Sequence, residues 1–135
     1  MDKGSAMKTP ARGPLIGGEL NAAIATAVVR VHSTYAGRGP TRAQAFHTKN
    51  LVVLLLEDTM TQEERSVAAG GNKDTAWQMR RQLQSTMRAS LIGAVEELTH
   101  CNVVAFMSDN HIEPDLAAEL FVLDRPVLSA GSRAP

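Results

Sequence analysis

The side chains that could do chemistry in this chain are four arginines, which are Arg38, Arg80, Arg81 and Arg88. A guanidinium carries a planar fork of donors that matches the oxygens of a carboxylate or a bicarbonate ion. Asp109 is the one acidic residue that we add to this candidate set. These residue types indicate contact with an anion or with a protein partner, and we predict no catalytic residue.

The arginine within the sequence GRGP allows two interpretations. Gly37 and Gly39 let the backbone turn tightly and approach a ligand, which would present Arg38 to an anion. Gly37 and Pro40 together are also a complete helix stop signal, and Arg38 would then bond carbonyl groups or an acid such as Glu97. We favour the second interpretation, because the carbonyls at a helix C-terminus repel anions.

The other three arginines fall in one helical stretch. Arg81 and Arg88 are seven residues apart and share a face of the helix, with Arg80 one position round. This flank is either a binding surface for an anion or an acidic partner, or a solvated surface with ion pairs inside the helix. The second interpretation is the common one for charged helix flanks.

The elements that position these side chains follow from hydrophobic periodicity. A first helix starts at Gly18 and places apolar residues three or four apart, and a long helix shows the same spacing. The long helix carries a predicted apolar stripe of Ala76, Met79, Leu83, Met87, Leu91, Ala94 and Leu98. Asp74 or Thr75 is the predicted N-cap of this helix. A short helix over residues 62–69 begins with a capping box formed by Thr61 and Glu64.

Two predicted hairpins alternate with the helices. The first joins residues 42–48 to residues 51–56, and the second joins residues 101–108 to a return strand over residues 116–123. Val104 and Phe106 are predicted to share one side of their strand, and residues 109–115 are predicted to be a polar loop. The predicted fold is a two-layer α+β domain of order α-β-β-α-α-β-β. It has a four-stranded, mainly antiparallel sheet with the N-terminal and long helices on one face.

Composition limits the function classes. The chain has 135 residues, and its 14 basic residues balance its 14 acidic ones, which argues against a nucleic-acid binder. No apolar run reaches the roughly 20 residues of a membrane span, and the single cysteine, Cys101, gives no internal disulfide. We therefore expect a cytoplasmic domain over residues 18–124. Residues 1–17 and 125–135 are predicted tails, and GSAM in the first resembles a cloning remnant.

Neither a metal site nor a cofactor is predicted. The four histidines, His32, His47, His100 and His111, show no spacing typical of zinc ligands. Cys101 begins a predicted strand and is expected to be a buried structural thiol. A small sheet leaves its edges and one face open, so we predict a homodimer formed through an edge or through that face.

In their order along the chain, several motifs resemble the MpsC family. They are Tyr35-x-Gly37-Arg38-Gly39-Pro40, the helix start at residues 60–64, Arg80-Arg81-x-Leu83, the helix end at residues 95–99, and a strand that ends in Asp109. The resemblance covers residues 18–124. Two positions depart from the family pattern: His100 stands where glycine is usual, and residues 57–59 lack a common glycine.

The resemblance implies a role beside a membrane. The family takes its name from a bacterial membrane-potential-generating system linked to sodium translocation and bicarbonate supply, in which MpsC-like proteins are the small soluble member. Our first hypothesis is a non-enzymatic accessory or regulatory protein that contacts a membrane-protein partner or a small anion. The alternative is an anion sensor or enzyme with a pocket between the long helix and the sheet, joining Arg38 to Asp109. Nucleic-acid binding is a third, less favoured hypothesis, and no direct membrane insertion is predicted.

Overall fold

The computed structural model describes residues 15–129, which form three helices and four strands. The helices are α1 (Gly17–Ala36), α2 (Gln62–Ala69) and α3 (Lys73–Thr99). The strands are β1 (Arg42–Thr48), β2 (Leu51–Glu57), β3 (Val103–His111) and β4 (Leu116–Leu123). This is the predicted α-β-β-α-α-β-β order, and the predicted α+β class is confirmed.

The four strands form one antiparallel sheet with the order β1-β2-β4-β3. The two hairpins therefore meet along β2 and β4, which leaves β1 and β3 as the edges. Strand order was not predictable from the sequence, because the pairing of β2 with β4 joins residues that are 59 to 71 positions apart. Both long helices pack on one face of this sheet, as predicted, and close a single hydrophobic core.

The buried face of α3 differs from its predicted stripe. The buried residues are Ala76, Arg80, Gln84, Met87, Leu91, Val95 and Thr99. Three of the predicted residues, Ala76, Met87 and Leu91, are therefore buried as expected. The other four positions of the stripe are shifted by one residue, and two long polar side chains, Arg80 and Gln84, point inward. The periodicity of the apolar residues predicted that the polar residues of α3 face outward. Arg80 and Gln84 instead point inward, because they find hydrogen-bond partners on the loop before α2 and on β3.

Strand β3 is longer than predicted and irregular at its start. It runs to His111, so Asp109 lies within a strand and not in a loop. A β-bulge between Val103 and Ala105 breaks the alternation of side chains. For this reason Val104 is 62% exposed, while Phe106 is buried, and the two do not share one side as expected.

The ends of the helices show how local sequence sets the connections. Gly37 ends α1 in the left-handed conformation (φ 79°), and its N–H donates to the Ser33 carbonyl. His100 ends α3 in the same conformation (φ 60°), and its N–H donates to the Glu96 carbonyl. Thr61 and Glu64 form a complete capping box at α2. The expected cap of α3 by Asp74 or Thr75 is wrong, since the helix already starts at Lys73.

Most of the two predicted tails lies outside the described residues. Within the described part, Val127 is 7% exposed and its N–H donates to the Lys49 carbonyl. The chain after β4 therefore still packs against the first hairpin. Among residues 15–129, the helices are all too short or too polar to cross a bilayer.

Candidate anion-binding groove

Arg38 is engaged inside the protein. Its guanidinium donates to the Asp58 and Met60 carbonyls at 2.9 and 2.8 Å, and to the Asp58 carboxylate at 2.9 Å. The flanking glycines explain this placement. Gly37 provides the left-handed turn, and at Gly39 a Cβ atom would lie 2.6 Å from the Ser33 hydroxyl. The GRGP segment thus folds tightly under the end of α1 and directs its arginine to the β2–α2 connection.

Arg80 holds the same connection from the other side. It is 1% exposed and donates to the Thr59 carbonyl, the Glu64 carboxylate and the Asn110 amide oxygen. The three successive carbonyls of residues 58–60 are therefore bonded by two arginines, Arg38 and Arg80. Their arrangement fixes the chain just before the cap of α2, and it leaves neither guanidinium in the groove described next.

An open groove of about 310 Å³ lies between α3 and the edge strand β3. Its walls come from one helix face and one strand, and they are Arg81, Gln84, Ser85, Arg88, Phe106, Met107 and Ser108. The lining contains two guanidiniums, two hydroxyls and an amide, but no carboxylate, imidazole or thiol. Its chemistry is that of a hydrogen-bond donor surface for negative charge.

Both groove arginines are held against aromatic rings. The Arg81 guanidinium carbon lies 4.9 Å from the centre of the Trp77 ring, and that of Arg88 lies 5.3 Å from the centre of the Phe106 ring. Arg88 also donates to the Phe106 carbonyl at 3.3 Å. Stacking of this kind positions a cation before a ligand arrives, which reduces the entropy lost on binding.

The groove arginines have no acidic partner among residues 15–129. The ion pairs of this part of the chain take in Arg38, Arg42, Arg65, Arg80 and Arg125, and leave out Arg81 and Arg88. Both groove arginines are exposed. Of the sequence-predicted arginines, the structure thus brings Arg81 and Arg88 together at one open surface and directs Arg38 and Arg80 to internal contacts.

Asp109 does not join this groove. It is exposed, and its carboxylate accepts a hydrogen bond from the N–H of Asn110 at 2.8 Å. Side chains alternate along a strand, and Phe106 and Asn110 point toward the helices, so Asp109 points to the opposite face of the sheet. The expected pocket between the long helix and the sheet exists as the groove, but neither Arg38 nor Asp109 lines it.

Five of the seven lining residues were missed by sequence reasoning. Gln84 and Ser108 are the most informative, because the Ser108 hydroxyl donates to the Gln84 amide oxygen and links the helix to the strand. Asn110 extends this link with bonds to Gln84 in both directions, each 2.9 Å long. Gln84 carried no sequence signal, because it lies outside the predicted apolar stripe of α3. Ser108 carried a weak one, because it continues the side of its strand that was predicted for Val104 and Phe106.

A second buried polar contact lies deeper in the core. His32 Nε2 and Glu119 Oε2 are 3.0 Å apart, with side chains 1% and 0% exposed. Glu119 Oε1 has no hydrogen-bond partner among the described residues. His32 continues the inward spacing of Ile24 and Val28 on α1, and that spacing was the sequence signal for its burial. Within residues 15–129 no three potential metal ligands of the His, Cys, Asp and Glu types come together.

The fold and groove define a small α+β domain with a positively charged recess and no catalytic constellation in that recess. A family model described as "Na+-translocating membrane potential-generating system (MpsC)" matches residues 17–125, which is most of the chain. The protein therefore belongs to the MpsC family, and the predicted resemblance is confirmed. Its family name links it to a Na⁺-translocating system that generates membrane potential. Searches of curated proteins and of solved structures returned no match.

Proposed function

We propose that this protein is a non-enzymatic, cytoplasmic accessory or regulatory component of a membrane-associated ion- and bicarbonate-handling system. In this role it binds an acidic segment of a membrane-protein partner through the groove between α3 and β3. The family match supports the association with an ion system. The observation that carries the contact is the pair of exposed, ring-stacked guanidiniums of Arg81 and Arg88, which have no acidic partner among residues 15–129.

The chemistry of the lining supports binding over catalysis. General acid–base catalysis needs a titratable side chain within hydrogen-bond reach of the reacting atoms. The groove offers hydroxyls, an amide and guanidiniums, all of which can donate hydrogen bonds without transferring a proton. An acidic peptide would place carboxylates against Arg81 and Arg88 and its backbone beside the exposed Ser85.

The test is charge reversal in the groove. Arg81→Glu and Arg88→Glu are each expected to weaken capture of the membrane partner from native membranes by at least about tenfold. Loss of one charge-assisted hydrogen bond costs about 1.5–3 kcal/mol, and 1.4 kcal/mol corresponds to a factor of ten. Because both side chains are exposed, the urea midpoint of the variants is expected to stay close to that of the wild type.

Arg30→Glu is the matched control, since Arg30 is an exposed helix arginine that lies outside this groove. It changes the net charge by the same amount and is expected to leave capture unchanged. Equal capture by wild type, Arg81→Glu and Arg88→Glu would remove the proposed contact. If Arg30→Glu lowered capture of the partner as much as the groove variants do, the loss would be a general effect of net charge and not evidence for a binding site.

A small inorganic anion is the second candidate ligand, and the two exposed, ring-stacked guanidiniums of Arg81 and Arg88 favour it. Bicarbonate is the anion that we propose, because a guanidinium can bond two of its oxygens at once. In this case the protein would act as a sensor of the anion.

Titration of the protein with bicarbonate separates the two ligands. Backbone amide shifts that saturate at residues of α3 and β3, and that vanish in Arg88→Met, are expected for an anion site. Chloride at equal ionic strength is the control, since it screens charge without offering fork geometry. Shifts that grow equally with chloride would leave only the acidic protein segment as the ligand of the groove.

A further inference from the structure

The face of the sheet that points away from α1 and α3 is a regular grid of side chains. Strand register aligns them in four rows across β1, β2, β4 and β3. The three inner rows are Gln44–Leu55–Ala118–Asp109, Phe46–Val53–Leu120–Met107 and Thr48–Leu51–Val122–Ala105. Nine of these twelve residues are apolar, so this outer face is hydrophobic over most of its area.

The described residues leave this outer face open. Phe46 is 56% exposed and Met107 is 52% exposed, and Val53 and Leu55 in a central strand are also exposed. Both long helices contribute their buried residues to the opposite side of the sheet. Single apolar side chains on a surface are ordinary, but a contiguous patch of this kind usually marks an interaction surface.

We propose that the outer face is the interface of a homodimer, in which two sheets pack face to face as a sandwich. This deepens the proposed function by giving the predicted dimer a surface, and it does not depend on the arginine groove. Sheets packed in this way align to within about 30°. With a two-fold axis parallel to the strands, Phe46 of one copy would meet Met107 of the other, and Gln44 would meet Asp109.

Area supports a second copy of this chain. Strands lie about 4.8 Å apart and side chains on one face repeat every 6.8 Å or so, which gives the three inner rows roughly 400 Å² in projection. A fourth row, Arg42–Glu57–Leu116–His111, raises this to roughly 520 Å². Two copies then bury about 1,000 Å² in total, which is the lower limit for a specific interface. The expected dimer is reversible, with a micromolar dissociation constant.

The charges of the outer face also favour a second copy of this chain as its partner. The charged side chains of the outer face are Arg42 and Glu57 at one end and Asp109 nearby, so both signs are present. An anionic lipid surface would require a basic excess, which is missing here. The chain has a formal net charge of zero, and two copies therefore do not repel each other.

Pairing through an edge strand is the competing arrangement for a dimer. A β-bulge lies at the start of the edge strand β3, between Val103 and Ala105. Bulges at an edge strand are a common means of preventing edge-to-edge pairing. The free edge of β1 is seven residues long and begins with the exposed Arg42.

The test is sedimentation velocity on the full chain over protein concentrations from roughly 1 to 300 μM, which brackets a micromolar dissociation constant. The wild type is expected to shift from monomer to dimer within this range. Ala118→Glu places a charge in the middle of the outer face and is expected to remain monomeric throughout. Ala89→Glu is the matched control: Ala89 is exposed on α3 and does not line the groove, so it is expected to dimerise like the wild type.

A wild type that stays monomeric at the highest concentration would overturn the proposal, whether the outer face is open or covered by residues outside 15–129. Dimerisation of Ala118→Glu at the wild-type concentration would overturn it as well, in favour of an edge. Circular dichroism checks folding of each variant. If Ala118→Glu does not fold, Phe46→Gln replaces it, with an expected rise of at least tenfold in the dissociation constant. An unchanged constant for that variant would also count against the sandwich.

Discussion

Replacement of Arg80 by methionine provides the sharpest test of the internal contacts described above. The substitution removes the guanidinium that donates to Glu64, whose side chain is 3% exposed, and to the Thr59 carbonyl. Removing one partner of a buried ion pair costs about 3–5 kcal/mol, because the other charge stays buried. A domain of this size has a total stability of about 5–15 kcal/mol. Arg80→Met is therefore expected to remove a large part of it.

A double-mutant cycle with Glu64→Gln isolates the ion pair. Glutamine keeps the capping box at α2, since a capping box accepts either Glu or Gln at this position. In the double variant no unpaired charge remains, so the loss of stability is expected to be smaller than the sum of the two single losses. The expected coupling is about 1–3 kcal/mol, measured from urea unfolding curves with a common slope.

Arg81→Met is the matched control for this cycle. Arg81 is the adjacent residue, but it is exposed and its guanidinium stacks on Trp77. Loss of an exposed cation–π contact costs about 0.5–1 kcal/mol. If Arg80→Met and Arg81→Met lowered stability equally, or if Arg80→Met cost less than about 1 kcal/mol, the assignment of Arg80 to the core would be refuted.

Three further substitutions test the surroundings of Gly39, Gly93 and Asp124. Gly39→Ala is expected to lower stability by about 1–3 kcal/mol. The new Cβ would lie 3.0 Å from Val29 Cγ1 and 3.3 Å from the Val29 carbonyl oxygen, besides 2.6 Å from the Ser33 hydroxyl. Gly93→Ala in open space on α3 should raise stability by about 0.5–1 kcal/mol, and thermal unfolding of both variants shows the sign. The pKa of Asp124 lies below its ordinary value of 3.8, chiefly because the backbone N–H of Asn102 donates to the carboxylate. The stability from this bond is present above the ordinary value and lost as pH falls through the lowered pKa, so Asp124→Asn should be less stable than wild type at neutral pH and equal to it in strong acid. A constant difference across the pH range would contradict this assignment.

The sequence predicted the elements well because each one carries a local signal. The capping box at Thr61 and the stop at Gly37 depend on neighbours within a few residues. The buried face of α3 was mispredicted because Arg80 and Gln84 are stabilised inside by hydrogen bonds to Thr59 and Asn110. These partners are distant in sequence, so the periodicity of the helix does not reveal them.

Only one wall of the candidate site could be predicted, because the other wall depends on residues that are distant in sequence. Spacing alone placed Arg81 and Arg88 on one helix face. The opposite wall, with Phe106 and Ser108, depends on which strand lies beside α3, and that depends on the sheet order. Arg38 and Asp109 were grouped with these arginines by residue type, and the structure places them elsewhere.

The two proposed surfaces are compatible if the dimer uses the outer face, but not if it forms through the free edge of β3. The groove between α3 and β3 opens at the β3 edge of the sheet, so a partner strand added to that edge would lie against Met107 and Ser108 and obstruct the opening. A sandwich through the outer face keeps α3 of both copies on the outside. It leaves two grooves accessible, each lined by its own Arg81 and Arg88. A dimer of this kind would bind two acidic segments at once, and its avidity would fall to that of a single groove in Ala118→Glu even though the groove itself is unchanged.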